Sequence, residues 1–188
     1  VECTPLPLRA RAPLLRDGLD IFTPALRRTP PESLDPNIKS HNYLNLVLAD
    51  LEVRDRSSHA WAVLLDTRGY LCEGIGSNIF LVKDNVVFTP DARYVLAGVS
   101  RQVVIELALA EGFEVRETDL TALDAAESDE AFITSTSFCI CPVRTYDGAT
   151  LGASQVPGPV TQRLIHAFVR EAEHDFVAQY LSSLEPGS

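Results

Sequence analysis

A lysine, a glutamate, a helix start and a run of hydroxyls are the residues whose types and spacing allow joint chemistry. Lys39 stands in Asn37-Ile38-Lys39-Ser40-His41-Asn42-Tyr43-Leu44-Asn45. An amine at the mouth of a core-packed helix can attack a carbonyl, whereas a lone lysine by itself reads as a solvated charge. Glu73 opens Glu73-Gly74-Ile75-Gly76-Ser77-Asn78, which holds half of a dinucleotide fingerprint. That fingerprint must open a helix, and here Ile79-Phe80-Leu81-Val82 follows as a strand, so the nicotinamide reading fails. Taken alone, Glu73 is a solvated turn carboxylate. Leu96-Ala97-Gly98-Val99-Ser100-Arg101 opens a helix whose first N–H groups and dipole suit a phosphate; the plainer role of Ser100 is an N-cap. Ser135-Thr136-Ser137 offers hydroxyls either to an oxyanion or to the local backbone.

Together these four features suit one cofactor, pyridoxal 5'-phosphate. The amine forms a Schiff base, and a carboxylate keeps the pyridine nitrogen protonated so that the ring accepts electrons. Helix N–H groups and hydroxyls hold the phosphate. Other chemistries lack their residues. His41, His59, His166 and His174 are scattered and are assigned to the surface, and no metal-ligand constellation occurs. No G-x-S-x-G elbow supports a serine hydrolase.

The elements that must position these groups follow from patterning. Pro30, Pro31 and Pro36 keep the approach to Lys39 out of helix, and residues 1–36 read as a strand or two plus a loop. A helix is expected from about Lys39 to Arg54, with Leu44, Val47, Leu48 and Leu51 on its core face, then a polar turn at Asp55-Arg56-Ser57-Ser58. Trp61–Asp66 is an apolar run that suits a buried strand, and Tyr70–Cys72 continues as another. Asn78–Val82 and Val86–Phe88 flank a hairpin turn. The helix opened at Gly98 ends at Gly112, Glu114–Glu117 is a strand and Leu120–Ala126 a short helix. Ala131–Thr134 and Ile140–Val143 are strands around the hydroxyl run, and one last helix covers residues 159–181. Strands and helices alternate around a mixed sheet, within a single domain over residues 1–188.

Composition narrows the class. The chain has 188 residues, 46% hydrophobic and 22% charged, as expected of one globular domain with its own core. A net charge of −10 provides no basic field for nucleic acid. No apolar run reaches membrane-span length and no signal-peptide pattern opens the chain. Cys3, Cys72, Cys139 and Cys141 form neither a zinc motif nor a dense disulfide framework, so reduced thiols and a cytoplasmic location are expected. The chain lacks methionine and opens on Val1-Glu2-Cys3-Thr4, which reads as the interior of a longer sequence.

The sequence resembles the class IV aminotransferases, the fold-type IV group of pyridoxal-phosphate enzymes. That group includes branched-chain aminotransferases, D-amino acid aminotransferases, R-selective amine transaminases and aminodeoxychorismate lyase. Four motifs carry the resemblance in order: Ile38–Leu44, Glu73–Asn78, Leu96–Arg101, and Thr134–Ser137 followed by Pro142-Val143. They cover most of residues 25 to 170. The resemblance implies an α/β large domain built on a mixed-sheet pseudo-barrel, without the family's small N-terminal domain and its phosphate-binding arginine. It implies a homodimer that transfers an amino group between an amino acid or amine and a 2-oxo acid. By the same resemblance Lys39 is the Schiff-base lysine, Glu73 the pyridine-nitrogen partner and Tyr43 the neighbour of the phenolic oxygen. Leu96 packs on the ring, and Gly98, Val99, Ser100 and Thr136 bind cofactor, the last three at its phosphate. Gly76, Ser77 and Ser137 line the substrate side. A lyase of the aminodeoxychorismate type shares every one of these residues. A cofactor-binding domain without catalysis and a phosphate-binding regulatory module are the other readings. Substrate hand and side chain stay open.

Overall fold

The computed structural model describes residues 3–57, 59–153 and 155–184. Val1 and Glu2 of the opening segment and Ser58 of the expected polar turn lie outside the described residues. In chain order the elements are α1 (Leu8–Asp17), β1 (Leu19–Phe22), α2 (Leu44–Arg54), β2 (Ala60–Leu65), β3 (Leu71–Gly74), β4 (Ser77–Lys83) and β5 (Val86–Thr89). There follow α3 (Val99–Ala110), β6 (Glu114–Glu117), α4 (Ala122–Ala126), β7 (Glu130–Ser135), β8 (Cys139–Tyr146), β9 (Ala149–Thr150), α5 (Pro159–Ala172) and α6 (Phe176–Ser182).

Six strands close on themselves in the order β3-β2-β1-β8-β7-β4, because β4 pairs β3 again. β1 runs parallel to β2 and β8, and the remaining pairs of the ring are antiparallel. This is the mixed α/β pseudo-barrel. Closure removes the unpaired edges that an open sheet would expose. β5 and β6 extend the sheet beyond the far end of β4, and β9 pairs β8. β4 is buried from Ser77 to Val82, on both faces, which is why Ile79–Val82 reads as a continuous apolar run rather than an alternating one. Across β4 and β7, Phe80 and Phe132 face each other and stack with centroids 4.9 Å apart. Asp84 and Asn85 adopt φ of 50° and 62°, the left-handed pair that a two-residue hairpin loop requires.

Several sequence expectations need correction. The segment 1–36 is not extended throughout. Leu8–Asp17 is a helix in spite of Pro13 in its interior, and its Ala12 and Leu15 enter the main core. The Lys39–Arg54 helix begins only at Leu44. Before it, Asn37 N–H donates to Asp35 Oδ1 (2.9 Å) and Asn42 N–H to Ser40 Oγ (3.3 Å), local bonds that compete with helix. The core face of α2 also differs. Leu44, Val47, Leu48 and Leu51 are 66, 39, 49 and 54% exposed, whereas Leu46, Ala49 and Val53 pack on Ala62 and Leu64 of β2. α2 carries two apolar rows, and β2 covers only the second. The last helix breaks at Glu173 (φ 49°), and Asp175 caps α6 by accepting from Ala178 N–H at 2.8 Å.

α5 is anchored by a buried carboxylate. Glu130 accepts from the N–H groups of Val160 (2.9 Å) and Thr161 (2.8 Å), so a negative charge sits on the helix N-terminus. Gly158 leaves the room for it, since a Cβ there would overlap the Glu130 side chain. Gly158→Ala is therefore expected to destabilise the fold by about 1–3 kcal/mol, as overpacking does in a dense interior. Urea unfolding of the variant checks this, and an unchanged midpoint contradicts it.

Candidate active site

Glu73 lies on β3 opposite Asn78 of β4, at the floor of a cleft of about 200 Å³. The residue is 5% exposed, so it is not a solvated turn carboxylate. Its Oε1 accepts from Arg28 Nε at 2.9 Å and its Oε2 from the Leu96 N–H at 3.0 Å. Burial raises the Glu73 carboxyl above its ordinary value; the Arg28 guanidinium, the Leu96 N–H and the charge of Lys39 pull the other way. The neighbouring Cys72 thiol is pushed far up by burial, with the charge of Glu73 adding to it. Cys72 is therefore no nucleophile.

The segment 96–98 is held by side chains from the other motifs. Leu96 N–H donates to Glu73, the Leu96 carbonyl accepts from Asn78 Nδ2 (2.9 Å), and Ala97 N–H donates to Asn37 Oδ1 (3.1 Å). Those three bonds aim the first turn of α3 at the cleft. Gly98 is the N-cap and brings no side chain, so Ser100 does not cap the helix and the first N–H groups stay free of a side-chain acceptor. Asn78 Oδ1 occupies the space a Gly98 Cβ would need. Gly98→Ala should push Asn78 off Leu96 and destabilise the protein by about 1–3 kcal/mol. Thermal unfolding measures it, and a melting temperature equal to wild type counts against this packing.

Lys39 stands exposed at the cleft mouth, where its Nζ donates to Tyr43 Oη at 3.4 Å. Asn45 ties the preceding strap to α2, accepting from Thr29 N–H and donating to the Arg27 carbonyl. Gly76, Ser77, Leu96, Val99, Ser100 and Thr136 also line the cleft, as does Gly98. Ser77 Oγ accepts from Trp61 Nε1 at 3.1 Å. Ser137 does not line it. Its hydroxyl accepts from Arg11 Nη1 (2.9 Å) and its carbonyl from Tyr180 Oη (2.6 Å), so it is turned toward α1 and α6. Ser135 Oγ accepts from Phe138 N–H, closing the turn, and Thr136 is the member of the hydroxyl run that stays exposed in the cleft. His59 is half-buried, with Nδ1 unpartnered among the described residues, not a surface residue as expected.

Sequence reasoning missed Arg28, Asn37 and Thr134. Arg28 looked like part of a polar loop, and nothing local reveals a contact made 45 residues away. Thr134 lines the cleft with a buried Oγ1 that has no partner among the described residues. Among the described residues no group of three or more His, Cys, Asp or Glu could hold a metal, and no helix is long and apolar enough to cross a membrane.

Residues 2–146 match the model of the amino-transferase class IV family. The chain belongs to this family. Among class IV relatives, a Methanocaldococcus jannaschii protein, named provisionally as a branched-chain-amino-acid aminotransferase, is 42% identical over 170 residues, 89% of this chain and 57% of the relative. The branched-chain-amino-acid aminotransferase of Escherichia coli (strain K12) is 38% identical over 159 residues, 84% of this chain and 51% of that protein. A crystal structure of the Escherichia coli branched-chain amino acid aminotransferase superposes with a TM-score of 0.80 at 37% identity, covering 85% of this chain and 52% of that one. A T.th. branched-chain amino acid aminotransferase, solved with pyridoxamine 5'-phosphate, gives a TM-score of 0.75 at 29% identity, over 94% and 53% of the two chains. This class IV chain thus spans about half the length of the relatives it matches.

Proposed function

We propose that this chain is the cofactor-binding large domain of a pyridoxal-phosphate-dependent aminotransferase acting between branched-chain amino acids and 2-oxo acids. The observation that carries this is a buried carboxylate, Glu73, that accepts from two fixed donors at the floor of a cleft with a lysine at its mouth. The residues present fit the cofactor. Glu73 suits a pyridine N–H, the uncapped first turn of α3 with Ser100 and Thr136 suits a phosphate, and the orphaned Thr134 Oγ1 awaits a polar partner. When bound, pyridoxal phosphate supplies the covalent tether for Lys39 and the electron sink for charge developing at the substrate Cα.

The chain's own residues do the rest. Lys39 Nζ would take the Cα proton as base and then, as acid, deliver it to the cofactor's C4′ carbon, with Tyr43 Oη orienting the amine. Glu73 holds the proton of the ring nitrogen in place. Leu96 is fixed at both its N–H and its carbonyl, which sets the wall of the cleft. Branched-chain relatives favour transamination over the lyase reading. A cytoplasmic homodimer belongs to the same proposal; the exposed row Leu44, Val47, Leu48 and Leu51 on α2 supports a contact surface in the assembled protein. The test is a spectrum of the protein with pyridoxal phosphate and L-leucine, L-valine or D-alanine as donor. A spectral change with the L-branched donors, with release of the matching 2-oxo acid, is expected. No change with any donor removes the proposal.

A further inference from the structure

We infer that Arg28 is a positioning residue that holds the Glu73 carboxylate ionised and turned into the cleft, so that a pyridine nitrogen meeting Glu73 keeps its proton. This deepens the cofactor reading above and rests on it. Arg28 is 9% exposed and its guanidinium Nε meets Glu73 Oε1 at 2.9 Å, a pair with side chains 10% and 7% exposed. Its backbone N–H donates to the Leu65 carbonyl at the end of β2, which pins the stem of the side chain. On the other oxygen sits the Leu96 N–H. Each carboxylate oxygen thus has one fixed donor, and the orientation of the group is set before any ligand arrives.

The charge matters as much as the geometry. Glu73 is packed against Arg28 from the strap before α2 and the Leu96 peptide from the loop before α3, with Lys39 acting from the cleft mouth and Cys72 beside it as a neutral thiol. Arg28 is therefore the one full charge among these in hydrogen-bond contact with Glu73. A buried carboxylate that loses its cation takes up a proton rather than remain unpaired. A proton shared between a ring nitrogen and a carboxylate goes to the stronger base. The guanidinium weakens Glu73 as a base, which leaves the proton on nitrogen. Without Arg28 the proton moves to Glu73 and the ring loses its positive charge.

The test compares wild type with Arg28→Met and Arg28→Gln, the second retaining a polar donor without charge. Infrared titration of the cofactor-free protein follows the protonated-carboxyl stretch, assigned to residue 73 by its loss in Glu73→Gln. In both Arg28 variants the band is expected to persist to higher pH than in wild type, and Arg28→Lys should return it toward wild type. In the loaded protein the ¹⁵N shift of the labelled pyridine nitrogen should move toward the neutral ring. The dissociation constant for pyridoxal phosphate should rise about tenfold, the scale of one charge-assisted contact. The same carboxyl midpoint in wild type and in whichever variant folds would overturn the inference. If wild type fails to bind pyridoxal phosphate, the cofactor reading falls, and the infrared midpoints still decide whether Arg28 sets the ionisation of Glu73.

Discussion

Lys39→Ala is expected to lower transamination by about four orders of magnitude, the upper range for a residue that serves as base and acid, with loss of the covalent tether besides. No other residue can take over. Lys83, the second of the two lysines, is bound at the far end of β4 to the Glu127 carbonyl (2.8 Å) and Asp129 (3.1 Å) and does not line the cleft. Borohydride reduction of the loaded protein and peptide mapping should therefore find the pyridoxyl label on Lys39. A label on Lys83 would move the site elsewhere. Folding should be unaffected, because Lys39 is exposed and makes one long hydrogen bond, 3.4 Å to Tyr43. An active Lys39→Ala protein would end the aminotransferase proposal.

Glu73→Gln should lower kcat by about 10²–10³-fold, comparable to removing one preorganised electrostatic contact from a desolvated site. The shape is kept, and the Leu96 N–H still finds an oxygen acceptor; what is lost is the negative partner of the ring nitrogen. Cofactor binding by Lys39 and the α3 turn should survive. A wild-type single-turnover rate in the variant leaves Glu73 without the assigned role. The cofactor-free protein gives a second reading. Burial raises the Glu73 carboxyl in the folded state above its unfolded value, with Arg28 only partly offsetting it. For an acid shifted upward, stability is fully present below the unfolded carboxylate range, about pH 4.3, and is lost as pH rises through the folded value. Glutamine does not titrate. The stability of Glu73→Gln relative to wild type should thus increase with pH above that range. The unpaired Arg28 in the variant adds a constant offset, common to wild type when Glu73 is protonated. Equal pH profiles for the two proteins would contradict the burial of an ionisable Glu73.

Much of the scaffold follows from local rules. The hairpin at Asp84-Asn85, the left-handed Gly112 at φ 85°, the α3 start at Val99 and the strands around the hydroxyl run all lie where short-range patterning puts them. These are positions where backbone conformation is decided by a few adjacent residues. The four motifs likewise locate the cleft, since ten of the eleven assigned site residues line it and only Ser137 turns away. Segment chemistry was legible because Lys, Glu, Gly and Ser/Thr each have few uses next to an apolar strand or a helix start.

Tertiary packing decided the rest. On α2 two apolar rows have the same helical spacing, so periodicity cannot tell which one β2 covers; that depends on how the strap from Arg28 to Tyr43 delivers the helix to the barrel. α1 and the break at Glu173 arose where propensity allowed more than one outcome and the main core chose among them. The burial of Glu73 is the plainest case. A glutamate in a Gly-rich turn is a surface residue by composition alone, and only closure of the ring through β3 and β4 takes it out of water. Arg28, 45 residues away, then supplies the charge that burial demands. Such a pair has no local signature, because the cost of desolvating a charge exists only once the surrounding chain has folded around it.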